Sequence, residues 1–390
     1  MAGTQDGSFD VQHLSSPAQA GSQGSIRIWD VPVRLFHWSV ALAVAVAGIT
    51  GWLLPVNWLG LHLIAGGAIA LLLLLRLVWG FSGSAYSRFA SFAIQPSNVI
   101  AHLKDLRSPH PHREPGHNPL GALMVIALML TLAAIVLSGA LVLGGAFKQG
   151  PFKSLVSFAA GWQARELHEL FAYGLLALVA GHLGGVIFES RRTQENLAAS
   201  MVTGRKRAGF AQPLLTTAAR PVAAAVAALL LAGGAIAAVA SLNGRPPSGV
   251  PVMTANAAWA KECAACHIAF HPSLLPADSW NKVMDTLPDH FGEDASLDEV
   301  TTAEIKTFLA ANSAEHWDTL PANRLRSVDP AKPTEITATR FWTRMHGEID
   351  TAVFESKPVG AKQNCVACHG DAASGMFAPQ NISIPKEMTP

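Results

Sequence analysis

The run Glu166-Leu-His168-Glu-Leu-Phe-Ala-Tyr-Gly174-Leu-Leu-Ala-Leu-Val-Ala-Gly181-His182-Leu-Gly184-Gly185 has no charge between Glu169 and Glu189. That is close to the ~20 apolar residues a helix needs to cross a bilayer. An imidazole inside such a span is costly and marks a functional site by default. His168 and His182 are 14 residues apart. They therefore differ by about 1400° of helical rotation, close to four full turns, and share one face about 21 Å apart along the axis. One helix offers a ligand near each side of a membrane.

Four more spans flank this one. Leu35 to Leu75 has no charged residue and is interrupted by Pro55, Asn57 and Gly60, which makes two spans joined by a short turn. A third run lies between Glu114 and Lys148, and a fifth between Arg220 and Arg245. In lipid the backbone must satisfy its own hydrogen bonds, so all five are helices. Their glycine pairs, Gly66-Gly67 and Gly184-Gly185, suit close packing against a neighbour or a flat cofactor. His37 falls near the start of the first span and His62 near the start of the second. Matching depths pairs His62 with His168 and His37 with His182, each pair able to clamp one b haem from both axial sides. A lone intramembrane histidine is more often a packing residue; four at matched depths, with none inside the third or fifth span, favour two haems. Arg34, one turn before His37, is placed either to meet a haem propionate or to anchor a basic loop. Gly174, Gly181 and Gly184 would let a porphyrin approach the fourth span or serve helix packing.

Composition agrees. Of 390 residues, 50% are hydrophobic and 14% charged, with a mean hydropathy of +0.29, which excludes an ordinary cytosolic enzyme. Residues 1–244 hold 16 Lys/Arg against 9 Asp/Glu, a net +7, while residues 245–390 hold 12 against 18, a net −6. No basic stripe interleaved with aromatics appears in the acidic part, so no nucleic-acid partner is expected. Residues 1–25 hold almost no large apolar side chains and read as a disordered cytoplasmic tail. They are not a signal peptide, because the first apolar run starts only near Leu35. Arg88, Lys104, Arg107 and Arg113 follow the second span, and Arg191, Arg192, Arg205, Lys206, Arg207 and Arg220 follow the fourth. Positive-inside logic then puts the N-terminus in the cytoplasm. Five passes through a bacterial inner membrane leave everything after the fifth span periplasmic.

The expected organisation is all-α. A four-helix b-type cytochrome domain covers 26–190, a basic cytoplasmic loop 191–218, the fifth transmembrane helix 219–242 and a Pro/Gly linker 243–252. A soluble, mostly helical domain covers 253–390.

All four cysteines fall in Cys263-Ala-Ala-Cys266-His267 and Cys365-Val-Ala-Cys368-His369, each matching the signature of covalent c-haem attachment. Two thiols add to the porphyrin's vinyl groups and the adjacent histidine swings under the ring to ligate iron. Zinc is the competing reading, but it needs four ligands brought together, and the two motifs are 102 residues apart. His290 lies 23 residues after His267 and His346 lies 23 before His369, so bis-His ligation is expected, which keeps potentials lower than His/Met. Either could instead be a surface histidine, with Met284, Met345, Met376 and Met388 as other distal candidates. His271 and His316 are expected at the surface.

Two resemblances follow. Trp29-Asp-Val-Pro-Val-Arg34-Leu-Phe-His37-Trp, Leu61-His62, Leu75-Arg76-Leu-Val-Trp79-Gly and the fourth-span histidines resemble the bacterial cytochrome b561 family, which includes the cytochrome b subunits of nickel hydrogenases. That resemblance implies a four-helix di-haem bundle exchanging electrons with membrane quinone. Trp259, Leu274-Leu-Pro276, Ser279-Trp280, His290-Phe-Gly-Glu293, Ile336-Thr337 and His346-Gly-Glu-Ile349, with the two Cys motifs, resemble the dihaem cytochrome c family. His290 and His346 fall on that family's motif positions.

The expected function is quinol oxidation, with electrons passing through two b and two c haems to a small periplasmic cytochrome c or related haem protein. The alternatives are reverse transfer from a periplasmic donor to quinone, superoxide:quinone oxidoreduction, and service as membrane anchor and electron adaptor for a separate redox enzyme. No residue reads as catalytic or as a quinone pocket, and no nucleophile elbow, phosphate loop or H-E-x-x-H run is present.

Overall fold

The computed structural model describes residues 24–108, 112–210 and 213–385; Met388 and all of the expected tail (1–25) but its last two residues lie outside them. Among the described residues, five helices are long and apolar enough to cross a membrane. They are α1 (Val31–Trp52), α2 (Leu59–Ser82), α4 (Pro119–Gly145), α5 (Phe158–Thr193) and α7 (Pro221–Asn243), with a short α3 (Pro96–Asp105) after α2 and α6 (Leu197–Thr203) after α5. Inside the bundle Ala43, Ile69, Leu132 and Leu175 form the core. Leu42, Leu130, Leu170 and Leu229 point outward, as expected of helices whose far side meets hydrocarbon rather than water.

α1 starts where it does because Pro32 occupies its first turn and Asp30 caps it, accepting from Val33 N at 3.0 Å. The other Asp30 oxygen accepts from Trp79 Nε1 (2.9 Å), Ser84 Oγ (2.7 Å) and Ser87 Oγ (2.6 Å), pinning the start of α1 to the end of α2. Burial opposes ionisation of this carboxyl, but the donated hydrogen bonds outweigh it and hold Asp30 below the usual carboxylate range. At the opposite end of the bundle α4 and α5 meet so closely that a Cβ on Gly145 would lie 2.6 Å from Gly161 Cα. Only glycine fits there.

Among its described residues, the segment expected as a basic loop carries a helix and a strand. α6 is followed by a strand, β2 (Arg205–Arg207), that pairs antiparallel with β1 (Ser25–Arg27). Arg113 pairs with Glu195 and Arg192 with Asp105, both at 2.9 Å, and Lys206 donates to the carbonyls of Glu114 (3.1 Å) and Gly116 (3.2 Å). Burial pulls Lys206 down to about 8. This is the basic end of the bundle. Arg34 belongs to it, donating through Nη2 to the Val202 carbonyl at the end of α6, while its Nε is buried without a partner.

The C-terminal domain sits on the other end. It comprises α8 (Ala257–Glu262), α9 (Ala277–Asp285), α10 (Glu299–Ala311), α11 (Leu320–Leu325), α12 (Arg340–His346), α13 (Thr351–Glu355) and several 3₁₀ turns. Its core is Leu275, Trp280, Met284, Leu287, Ile305 and Leu309. Met284 is thus a packing residue, and Met345 is 56% exposed. His271 corrects the sequence reading: it is only 3% exposed. Its Nδ1 meets Ser273 Oγ at 2.8 Å, its ring packs edge-on against Trp317 at 4.7 Å, and Gly375 closes over it. Burial takes its pKa down to about 4. The cause is a contact with a residue a hundred positions away in the chain, which local pattern does not display.

The linker is stitched down. Ser248 N donates to Lys153 O and Asp318 N to Gly249 O, both at 2.8 Å. Asp318 Oδ2 accepts from Lys148 Nζ (2.8 Å) and from Phe158 N (2.7 Å), the first amide of α5. The Lys148 side chain is 0% exposed. Arg324 lies 3.9 Å from the Trp162 ring centre, a cation–π contact on α5. The turn Pro379–Asn381 packs against Val56–Trp58 and the start of α2. The C-terminal domain is therefore docked on the helices that carry His62 and His168.

Candidate haem-binding sites

α1, α2 and α5 bring the four membrane histidines into two pairs. The ring centres of His62 and His168 are 6.1 Å apart, and those of His37 and His182 are 6.3 Å apart. In the C-terminal domain His267 and His290 stand 6.1 Å apart, and His346 and His369 6.0 Å. A metal held about 2 Å from one nitrogen of each of two imidazoles separates their ring centres by about 6 Å. All four spacings fit a single iron between each pair. Among the described residues no three His, Cys, Asp or Glu side chains converge on a bare metal ion, which leaves the zinc reading without a site.

The His62–His168 pair is oriented by a repeated device. His62 Nδ1 lies 3.1 Å from Ala47 O and 3.3 Å from Thr50 Oγ1 on α1; His168 Nδ1 lies 3.0 Å from Ile135 O and 3.2 Å from Ser138 Oγ on α4. Donation from Nδ1–H leaves each Nε2 unprotonated and facing its partner, the arrangement that fixes tautomer and raises ligand basicity. Gly51 and Gly139 follow these hydroxyl residues. A Cβ there would come within 3.3 Å of His62 Cε1 and 3.1 Å of His168 Cε1. Sequence reasoning missed this quartet; its only signal was the recurrence of Thr50-Gly51 and Ser138-Gly139 on the helix preceding each histidine helix. The His37–His182 pair differs, for His37 Nδ1 is buried with no hydrogen-bond partner.

In the C-terminal domain His267 Nδ1 lies 2.7 Å from Ile268 O and His346 Nδ1 2.9 Å from Trp342 O. His346 ends α12 and stacks on Trp342 at 4.5 Å and 15°. His290 is presented by a tight loop in which His290 N donates to Glu293 O at 2.8 Å, with Phe291 and Gly292 at φ +56° and +93°. His369 packs against Phe377 at 5.0 Å. None of Cys263, Cys266, Cys365 and Cys368 is in a disulfide, and each pair stands next to its histidine.

Residues 28–204 match the family described as prokaryotic cytochrome b561, and residues 259–377 match dihaem cytochrome c. The chain joins a cytochrome b561 to a dihaem cytochrome c. It is a haem-binding electron-transfer protein. Its b561 part is similar to the probable Ni/Fe-hydrogenase 1 B-type cytochrome subunit of Escherichia coli (strain K12), 24% identical over 214 residues, covering 47% of this chain and 91% of that one. The corresponding probable subunit of Rhodobacter capsulatus is 25% identical over 235 residues, covering 51% and 90%. Among solved structures, the diheme cytochrome c from Rhodobacter sphaeroides is 36% identical, covering 32% of this chain and 98% of that one, with a TM-score of 0.28. That from Shewanella baltica OS155 is 34% identical, covering 34% and 94%, with a TM-score of 0.27.

The fusion accounts for the architecture. The b561 part has its histidine pairs in a shell of apolar helices, and the dihaem part adds two more pairs on a domain docked at one end of the bundle. The b561 match ends at residue 204, within the basic end. α7 lies beyond it and packs along α2, where Arg220 N donates to Ser82 O at 2.8 Å.

Proposed function

We propose that this cytochrome b561–dihaem cytochrome c fusion oxidises quinol in a bacterial inner membrane and delivers the electrons to a soluble haem protein in the periplasm. Haem, when bound, supplies reversible one-electron chemistry. His37 with His182 and His62 with His168 would hold two b haems. Cys263, Cys266, His267 and His290 would hold one c haem, and Cys365, Cys368, His369 and His346 the other. The observation that carries the reading is the docking of the C-terminal domain on the bundle end nearest His62 and His168, through Asp318, Lys148 and Arg324. Four sites with matched imidazole spacing then run from the basic end of the membrane domain into a domain beyond it. The basic end belongs in the cytoplasm by the positive-inside rule, which leaves the acidic domain periplasmic. Its net charge of −6 over residues 245–390 suits a basic partner drawn in by electrostatic steering.

The relatives' names support a second reading, an electron adaptor for a separate hydrogenase or similar enzyme. The fused dihaem domain favours the first, because it gives this chain an electron exit of its own.

Proteoliposomes test both. With quinol in the bilayer and a basic ferricytochrome c outside, outward-facing protein is expected to reduce the added cytochrome. The rate should fall roughly tenfold as ionic strength rises from low to physiological salt. Reduction of bilayer quinone by added ferrocytochrome c would reverse the direction. No exchange either way, while dithionite still reduces the protein, would favour the adaptor.

A further inference from the structure

We propose that Arg76, with His117 beside it, is the receptor for a porphyrin propionate at the basic end of the bundle. This rests on the reading that His37 and His182 hold a haem. Arg76 lies 14 residues after His62 on α2, so it occupies the same face about 21 Å nearer the basic end. His182 stands in the same relation to His168 on α5. Arg76 thus sits on the haem-facing side of α2, at the depth of the His37–His182 pair.

It is an expensive residue to place there. Arg76 is only 4% exposed, yet its Nη1 has no hydrogen-bond partner and it makes no ion pair among the described residues. Its guanidinium lies flat against Phe89, 4.7 Å from the ring centre. The nearest carboxylate, Asp30, is taken up by Val33 N, Trp79, Ser84 and Ser87. Close by, His117 is wedged against Trp29 (4.7 Å) and Phe92 (5.3 Å), and its Nδ1 is also sealed from water without a partner. Lys206, 5.6 Å from the Trp29 ring centre, is the second cation here, and it donates to the carbonyls of Glu114 and Gly116. A buried cation without an anion is strongly unfavourable. The unmet Nη1 of Arg76, beside an imidazole nitrogen that also lacks a partner, calls for an anion from outside the polypeptide. A bound porphyrin brings two carboxylates. Arg34, the sequence candidate for this role, gives Nη2 to the Val202 carbonyl and keeps a buried Nε without a partner.

Redox titration of the b bands in purified protein is the test. Removing a cation beside a propionate favours the oxidised, more positive haem. In Arg76→Gln the b step that His182→Ala abolishes should move to lower potential by about tenfold in the oxidised-to-reduced ratio, about 60 mV for one electron. The other b step should stay in place, and Arg76→Lys should restore most of the shift. An unmoved step in Arg76→Gln with a full b complement would overturn the inference. So would loss of all b haem in both Arg76→Gln and Arg76→Lys, which would make Arg76 an element of the fold. If His182→Ala kept every b haem, the ligand reading itself would fail, a separate result.

Discussion

Replacing His182 with alanine is expected to remove one b haem per chain and leave both c haems attached. His37 and His182 face each other at 6.3 Å from opposite helices, and neither has another imidazole within ligation distance among the described ring contacts. His62 and His168 hold their own pair one helical stretch away, oriented by backbone carbonyls on α1 and α4. The remaining b haem should therefore bind normally. Haemochrome analysis would read one b for two c, against two for two in the parent. His316→Ala, at an exposed position, should change neither number. A full b complement in His182→Ala would sink the pairing, and loss of both b haems would show that the two sites do not form independently.

Replacing Asp318 with alanine should loosen the two domains. It strips the Lys148 ammonium, 0% exposed, of the one carboxylate it meets among the described residues and leaves the first amide of α5 without that side-chain acceptor. Breaking a buried ion pair from one side costs ~3–5 kcal/mol; because the Asp318 side chain is 30% exposed, about 2–3 kcal/mol is the fair expectation. Limited proteolysis should then cleave the Asn243–Pro251 linker tens of times faster. Adding Lys148→Met should recover part of the protection, since an apolar residue of similar length removes the stranded charge. Equal cleavage rates in parent and Asp318→Ala would mean that the latch contributes nothing to docking.

These two results probe features of very different legibility. The spans were readable because charge-free runs of that length have few other uses, and the histidine pairing because a 14-residue interval returns to the same helix face. The Cys-x-x-Cys-His motifs were readable because covalent attachment fixes their spacing. The latch was not, since Lys148 and Asp318 are 170 residues apart and each looks like an ordinary surface charge. The β1–β2 ribbon was hidden for a related reason: three-residue strands carry no alternation long enough to detect, and their pairing joins residue 25 to residue 207. His271 was misread because what buries it is the chain around Gly375. Thr50 and Ser138 were invisible as ligand supports because a hydroxyl in a helix ordinarily bonds its own backbone, and both do so while also meeting a histidine on the next helix.

The central claim is that electrons enter from quinol at the b sites and leave through the c domain. An anaerobic visible spectrum of the purified, oxidised protein, taken before and after quinol addition with b and c bands followed separately, tests it most directly. The account predicts that the b bands reduce and the c bands follow. If neither set reduces while dithionite reduces both, quinol is not the donor and the account is contradicted.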